Sequence, residues 1–165
     1  MRIIGIDPGT YRTGFGIIDE DKGNVSVVAC GCLEDRGKLV SKRYFSIYEQ
    51  LSEVVKLYKP DCCSIESTFY YKNPKVTMRL GEIRGVLILT AVQAGMDIFE
   101  YAPLVVKQSV VGYGRADKSQ VQKMVKALLG LSKLPKFNDV SDALALALCH
   151  VHNRKSVRRS VVKSV

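Results

Sequence analysis

The chain has 165 residues, with 25 Lys and Arg against 16 Asp and Glu, which gives a formal net charge of +9. This length suits one domain with a full hydrophobic core, and the basic excess favours a polyanionic partner such as nucleic acid. The five cysteines follow neither a disulfide framework nor paired zinc-ligand spacing. With no secretory signal and no apolar run of membrane length, we expect a cytoplasmic protein.

Residue patterns predict an α/β domain with a mixed sheet flanked by helices on both faces. Five short apolar or alternating runs read as strands, at 3–6, 13–19, 25–33, 62–66 and 97–102. Apolar residues at helical spacing predict four helices, at 44–58, 76–94, 118–130 and 139–152. We expect the domain to span residues 1–153 and residues 154–165, which lack periodicity and are rich in Arg and Lys, to form a flexible basic tail.

The first strand ends in a carboxylate, Asp7, that is followed at once by a Pro-Gly turn. An unpaired carboxylate at the end of a buried strand is costly unless a cation or hydrogen-bond donors meet it. Three interpretations are open at this point. Asp7 caps the turn, or it binds a metal ion, or the Asp-Pro-Gly-Thr turn holds a nucleotide phosphate with its backbone amides.

Further acids stand where they can join Asp7. Glu66 also ends a predicted core strand, so parallel pairing of the two strands would bring both side chains to one edge of the sheet. Asp139 and Asp142 are three residues apart at a predicted helix start and share one face, although such a pair is also ordinary capping chemistry. Acids gathered in a basic chain predict a divalent-cation site, and such sites suit phosphodiester hydrolysis. His150 and His152 lie too far along the last helix to join them, and we expect both on the surface.

Several stretches together resemble the RuvC-type Holliday junction resolvases, which have the RNase H-like fold. They are Gly5-Ile-Asp-Pro-Gly-Thr10, Ile65-Glu-Ser-Thr-Phe69 with Lys72-Asn73, Leu80-Gly-Glu-Ile-Arg-Gly-Val86, Val106-Lys-Gln108 with Val111-Gly112, Lys118-Ser-Gln-Val121 and Asp139-Val-Ser-Asp-Ala-Leu144. Each stretch is weak alone, but their order and spacing are specific, and the resemblance covers essentially residues 1–153.

The resemblance implies an endonuclease that resolves four-way DNA junctions in recombination and repair by paired symmetric nicks. Asp7, Glu66, Asp139 and Asp142 match the family's acidic tetrad, which implies catalysis with two Mg²⁺ ions per active site, for which Mn²⁺ may substitute. The family acts as a homodimer. It works with the junction-binding and hexameric motor proteins of the branch-migration complex, RuvA and RuvB.

Five residues are candidates for DNA contact. Phe69 follows Glu66 in a run of three aromatic residues, and aromatic side chains beside a cutting site stack on unpaired bases. The alternative is that Phe69 packs into the core. The resemblance instead implies that Phe69 wedges against bases at the crossover of the junction. The basic candidates are Lys72, Lys107, Arg115 and Lys118. Solvated surface charge is the default for each, and the resemblance favours Lys107 and Lys118 as phosphate contacts.

The predicted helix 76–94 is apolar nearly all round between residues 86 and 92. Such a helix is either buried on both faces within the domain or packed against a partner subunit. Because the family dimerises through this helix, we expect it to pack against a partner subunit. The expected interface residues are Val86, Leu87, Leu89 and Thr90.

Other functions remain open at the level of sequence. Sugar kinases and actin-like ATPases open with a similar Gly-x-Asp-x-Gly-Thr hairpin, but they need a second domain for which this chain is too short. A non-catalytic nucleic-acid-binding module on the same fold should lack some of the carboxylates, and all four are present. Another RNase H-like nuclease, such as the YqgF type, fits the first motif but neither Lys118-Ser-Gln-Val121 nor the Asp139 and Asp142 pair.

Overall fold

A computed structural model describes residues 1–37, 39–67 and 73–154 and contains a five-stranded mixed sheet. The strands are β1 (Arg2–Asp7), β2 (Arg12–Asp21), β3 (Asn24–Glu34), β4 (Cys62–Glu66) and β5 (Asp97–Tyr101). Their order across the sheet is β3-β2-β1-β4-β5. The β1–β2 and β2–β3 pairs are antiparallel, whereas β1–β4 and β4–β5 are parallel.

In the described part of the chain, five helices cover the two faces of the sheet. They are α1 (Val40–Tyr58), α2 (Pro74–Gln93), α3 (Pro103–Val111), α4 (Lys118–Leu128) and α5 (Asn138–Asn153). Helices α1 and α2 pack on one face around a core cluster that includes Leu51, Ile65 and Leu87. Helices α3, α4 and α5 pack on the other face, where the core includes Val125 and Leu144. The predicted α/β class, with a mixed sheet between two layers of helices, is confirmed.

Helix α3 is absent from the sequence prediction. Its nine residues include two that are buried, Val106 and Val110, and this single pair gives no clear helical periodicity. The helix begins with Pro103 at its first turn, where the missing N–H costs nothing, and it ends at Gly112, which has a φ of 90°. Among the described residues, none of the helices has both the length and the apolar character needed to cross a bilayer.

Helix α2 corrects two of the predicted interface residues. Leu87 is 0% exposed and Thr90 is 3% exposed, because both face the sheet and α1 within the same subunit. Neither can contact a partner without unfolding its own core. Val86 is half-buried, and Leu89 is 55% exposed on the outer face of the helix. The outer face therefore offers a different apolar stripe, formed by Met78, Gly85, Leu89 and Val92.

The C-terminal end of α5 contacts the sheet near the end of β2. Arg154 follows the helix, and its Nη1 lies 2.6 Å from the Oε2 of Glu20, which is 5% exposed. Arg154 thus contacts the domain that we predicted to end at residue 153. The rest of the predicted tail, residues 155–165, lies outside the described residues, so the domain boundary stays a prediction.

Candidate active site

Two carboxylates meet at one edge of the sheet because β1 and β4 run parallel. Ile6 pairs with Ile65 across these strands, and Asp7 and Glu66 are the next residues of each. The apolar residues before them anchor both strands in the core, since Ile6 and Ile65 are 0% exposed. The predicted placement of Asp7 and Glu66 at the same edge is confirmed.

The first turn of α5 brings two more acids to this edge. Asp139 lies directly over Gly14 of β2, where an added Cβ would collide with the Asp139 backbone carbonyl. Gly14 in turn pairs with Asp7 across β1 and β2. The missing side chain at Gly14 therefore allows the start of α5 to approach the strand end that carries Asp7. Asp142, one turn further along α5, faces the same edge.

A cavity of about 220 Å³ opens at this edge. Three acids line it, Asp7, Glu66 and Asp142, and two lysines, Lys107 from α3 and Lys118 from α4. The remaining walls are apolar and come from α3, α4 and α5, at Pro103, Val106, Val121, Ala145 and Leu146. The acids of this cavity can bind cations, and its lysines can bind anions.

Burial and mutual repulsion together raise the pKa values of the acids, with burial the larger effect. Burial, followed by the charges of Asp142, Glu66 and Asp139, raises the pKa of Asp7 to about 8. Burial and the Asp142 charge also raise the pKa of Glu66. The pKa of Asp142 is raised as well, chiefly by burial. A cation placed among these groups would favour their charged forms and lower all three pKa values.

Lys118 is a cation that already contacts the cluster. Its Nζ lies 2.7 Å from the Oδ2 of Asp142. Burial alone would lower the pKa of Lys118, but the bond to Asp142 and the other acids raise it. The sequence prediction treated this lysine as a phosphate contact only. In the structure it neutralises part of the acidic cluster, and its side chain remains 55% exposed.

The other predicted DNA contacts divide into two groups. Lys107 is half-buried and lines the cavity, and Arg115 is exposed in the loop between α3 and α4. Phe69 and Lys72 lie outside the described residues.

The four acids suit a hard divalent cation by their chemistry, since carboxylate oxygens are the ligands that Mg²⁺ prefers. Within the described ranges, no set of three or more His, Cys, Asp or Glu side chains is already arranged as a metal site. The charges of Asp142, Glu66 and Asp139 add to burial in raising the pKa of Asp7, and a cation among these acids would offset their repulsion. By their chemistry and their shared edge of the sheet, these residues fit a divalent ion.

Two arginines near the site were not anticipated from the sequence. Arg12 at the start of β2 has its Nη1 3.7 Å from the Oδ2 of Asp139. Arg84 of α2 donates from Nε to the backbone carbonyl of Glu66 at 3.3 Å. Arg84 lies within residues 80–86, one of the stretches that resemble the family. That stretch was the sequence signal that could have identified Arg84 as a residue near the site. No sequence signal marks Arg12, because its partner is 127 positions away.

His150 also departs from its predicted place. It is 3% exposed rather than on the surface, and its Nδ1 lies 2.8 Å from the hydroxyl oxygen of Tyr101. His152, as predicted, is exposed.

The fold and the acidic edge together define a class of protein, the nucleases of the RNase H-like fold. Comparison with known proteins narrows this class. The family model described as crossover junction endodeoxyribonuclease RuvC matches residues 3–150. The chain therefore belongs to the RuvC family of Holliday junction resolvases, which are DNA endonucleases of recombination and repair and depend in general on divalent metal ions.

Individual relatives agree with this assignment. The RuvC protein of Caldicellulosiruptor saccharolyticus is 50% identical over 159 residues, covering 95% of this chain and 96% of the relative. That of Caldanaerobacter subterraneus is 46% identical over 160 residues, covering 96% and 97%. Among solved structures, Thermus thermophilus RuvC in complex with a Holliday junction substrate superposes with a TM-score of 0.88 at 28% identity, covering 94% of this chain and 95% of that one.

Proposed function

We propose that this chain cuts four-way DNA junctions at the sheet edge formed by Asp7, Glu66, Asp139 and Asp142, with paired nicks at symmetric positions. The observation that carries the proposal is the shared cavity of Asp7, Glu66 and Asp142 in a chain of net charge +9. Family membership supports the substrate, as does the resemblance to the Thermus thermophilus protein solved with a Holliday junction.

We assign the four carboxylates as ligands of Mg²⁺, with Mn²⁺ able to substitute and two ions per site. Bound divalent ions supply activation of the attacking water and stabilisation of the leaving oxygen. Asp7 is the central ligand in this assignment, because the charges of all three other acids act on it. It must be deprotonated to bind a metal, and Lys118 already favours the charged forms of Asp7, Glu66 and Asp142.

The lysines of the cavity are assigned to the DNA backbone. Lys107 and Lys118 stand beside the acids and can bind the phosphates that flank the one being cut, and Arg115 lies in the loop that precedes α4. If a metal ion were bound beside Asp142, the exposed Lys118 side chain would be free to turn to a phosphate. Phe69 and Lys72 stay predictions, Phe69 as a stacking wedge at the crossover and Lys72 as a phosphate contact.

Symmetric nicking calls for two active sites related by a twofold axis, which a homodimer supplies. The exposed stripe of α2 is the surface that we assign to the partner subunit, because solvent-exposed apolar residues in a row favour burial. Family membership supports cooperation with RuvA and RuvB, and it supports a cytoplasmic site of action, since the relatives are bacterial and bacterial chromosomal DNA lies in the cytoplasm.

A synthetic four-way junction and its separate duplex arms test the proposal directly. We expect nicks at symmetric positions in two opposing strands of the junction, with Mg²⁺ present and not with a chelator. Equal cutting of the duplex arms would contradict junction selectivity, and cutting in the chelator would contradict the metal assignment.

A further inference from the structure

Arg12 makes contacts to three separate parts of the fold. It begins β2 and pairs directly with Glu34, the last residue of β3, and its Nε donates to the Glu34 Oε1. Its guanidinium carbon lies 3.8 Å from the centre of the Phe137 ring, just before α5. Its Nη1 lies 3.7 Å from the Oδ2 of Asp139 in the first turn of that helix.

These contacts fix the guanidinium in one place. The Arg12 side chain is only 27% exposed, and stacking on an aromatic ring adds to its ion pair with Glu34. Glu34 is itself held, because its backbone N–H and carbonyl both bond the side-chain amide of Gln50 at 3.2 Å. The planar, always charged guanidinium suits such a multiple contact, whereas a lysine offers a single mobile charge.

Lys118 and Arg12, which each contact an acid of the cluster, therefore differ in kind. Lys118 is more than half exposed and contacts Asp142 through one flexible chain, so it can move away when another cation arrives. Arg12 is held by Glu34 and Phe137 whether or not Asp139 contacts it. Because its guanidinium is bonded to Glu34 and stacked on Phe137, it is poorly placed to reach a DNA phosphate.

We infer that Arg12 is a positioning residue that orients the Asp139 carboxylate for metal binding. The inference rests on the proposed function, in which Asp139 is a metal ligand. Arg12 meets Oδ2, so the other carboxylate oxygen is left for the ion. Groups that hold a ligand from outside typically change metal affinity by 10- to 100-fold when they are removed.

The test measures Mn²⁺ binding to DNA-free protein, from the electron paramagnetic resonance signal of the free ion. We expect Arg12→Gln to weaken binding by about tenfold. Phe137→Leu, which keeps the charge but removes the stacking, should weaken it less. The matched control is Arg2→Gln. Arg2 makes the same kind of cross-strand pair, with Asp19 at 2.9 and 2.7 Å, at the end of β1 opposite to Asp7. Removal of the Arg2 side chain should therefore leave Mn²⁺ binding unchanged.

Unchanged or tighter Mn²⁺ binding in folded Arg12→Gln would overturn the inference, since tighter binding would mean that Arg12 only competes with the ion. Asp139→Asn, measured alongside, separates this failure from a failure of the proposed function. If Asp139→Asn weakens binding and Arg12→Gln does not, only the role of Arg12 is wrong. If Asp139→Asn binds Mn²⁺ as the parent protein does, the assignment of Asp139 as a ligand is wrong as well.

Discussion

Burial of His150 places a titratable group inside the core of this fold. Its Nδ1 lies 2.8 Å from the hydroxyl oxygen of Tyr101, and its ring centre lies 4.2 Å from that of Phe99. Burial, with a smaller effect from the nearby Arg154 charge, lowers the pKa of His150 below its ordinary value of 6.5. The neutral imidazole is therefore the form that the folded protein favours.

This lowered pKa predicts a pH dependence of folding stability. In the unfolded chain His150 takes up a proton as the pH falls through 6.5, whereas in the folded protein it does so only at lower pH. The stabilisation by neutral His150 is thus complete above pH 6.5 and is lost as the pH falls toward the folded-state pKa. We expect His150→Gln to reduce the loss of unfolding free energy between pH 7.5 and pH 5, measured by urea denaturation.

The exposed His152 provides the control for this measurement, since it lies two residues further along the same helix. His152→Gln should keep the pH dependence of the parent protein. If His150→Gln also kept it, then protonation of His150 would not be linked to folding.

Single residues also show where sequence-based prediction succeeds and fails. Asp7 and Glu66 were predictable, because each ends a short apolar strand and parallel pairing alone brings them together. Arg12 was not, because its contacts depend on the register of β2 against β3 and on the approach of α5. His150 was not, because its burial depends on α5 being covered by β5 and α3, which no local pattern reveals.

At the scale of secondary-structure elements, α2 carries two apolar faces with different roles. Leu87 faces the subunit's own core, whereas Leu89, two residues on, points away from it. Apolar composition alone could not separate the two, and only the orientation of α2 on the sheet does so. The short α3 escaped prediction for a related reason, since only two of its residues are buried and its Val-rich sequence lacks helical periodicity.

The two faces of α2 predict opposite results from similar substitutions. Leu89→Glu should leave the subunit folded but weaken the dimer by about 100-fold or more, because a buried unpaired carboxylate at an interface costs several kcal/mol. Leu87→Glu should instead unfold the subunit, because it places the charge in the core. Sedimentation velocity and circular dichroism distinguish these outcomes.

Leu128→Glu is the matched control, since Leu128 is a partly exposed leucine of α4 on the opposite face of the sheet. It should remain a dimer. A parent protein that sediments as a monomer at micromolar concentration, or a Leu89→Glu variant that dimerises normally, would contradict the assignment of the α2 stripe to the partner.

At the scale of the whole molecule, the +9 charge predicts binding to DNA that weakens steeply with salt, because Lys and Arg contacts release counterions from the phosphates. Lys107→Ala should weaken junction binding and reduce the slope of log affinity against log salt by about 1. Fluorescence anisotropy of a labelled junction at several salt concentrations, in a chelator that prevents cutting, measures this slope.

Lys22, in the turn between β2 and β3 and away from the acidic edge, serves as the control. Lys22→Ala removes the same charge and should leave the slope as it is. An equal change in both variants would mean that net charge alone sets the salt dependence, and no change in Lys107→Ala would return Lys107 to the role of a solvated surface charge.

The central claim is that Asp7, Glu66, Asp139 and Asp142 form one metal-binding centre that cuts junctions. Cleavage and binding of a four-way junction, measured in parallel for the four amide variants of these acids, test it most directly. Each of Asp7→Asn, Glu66→Gln, Asp139→Asn and Asp142→Asn removes a ligand charge and keeps its volume. We expect each to reduce cleavage by about 1,000-fold, with binding retained and with the exposed control Asp21→Asn fully active. Cleavage that persists in two of the four variants, or that is lost only together with binding, would contradict the claim.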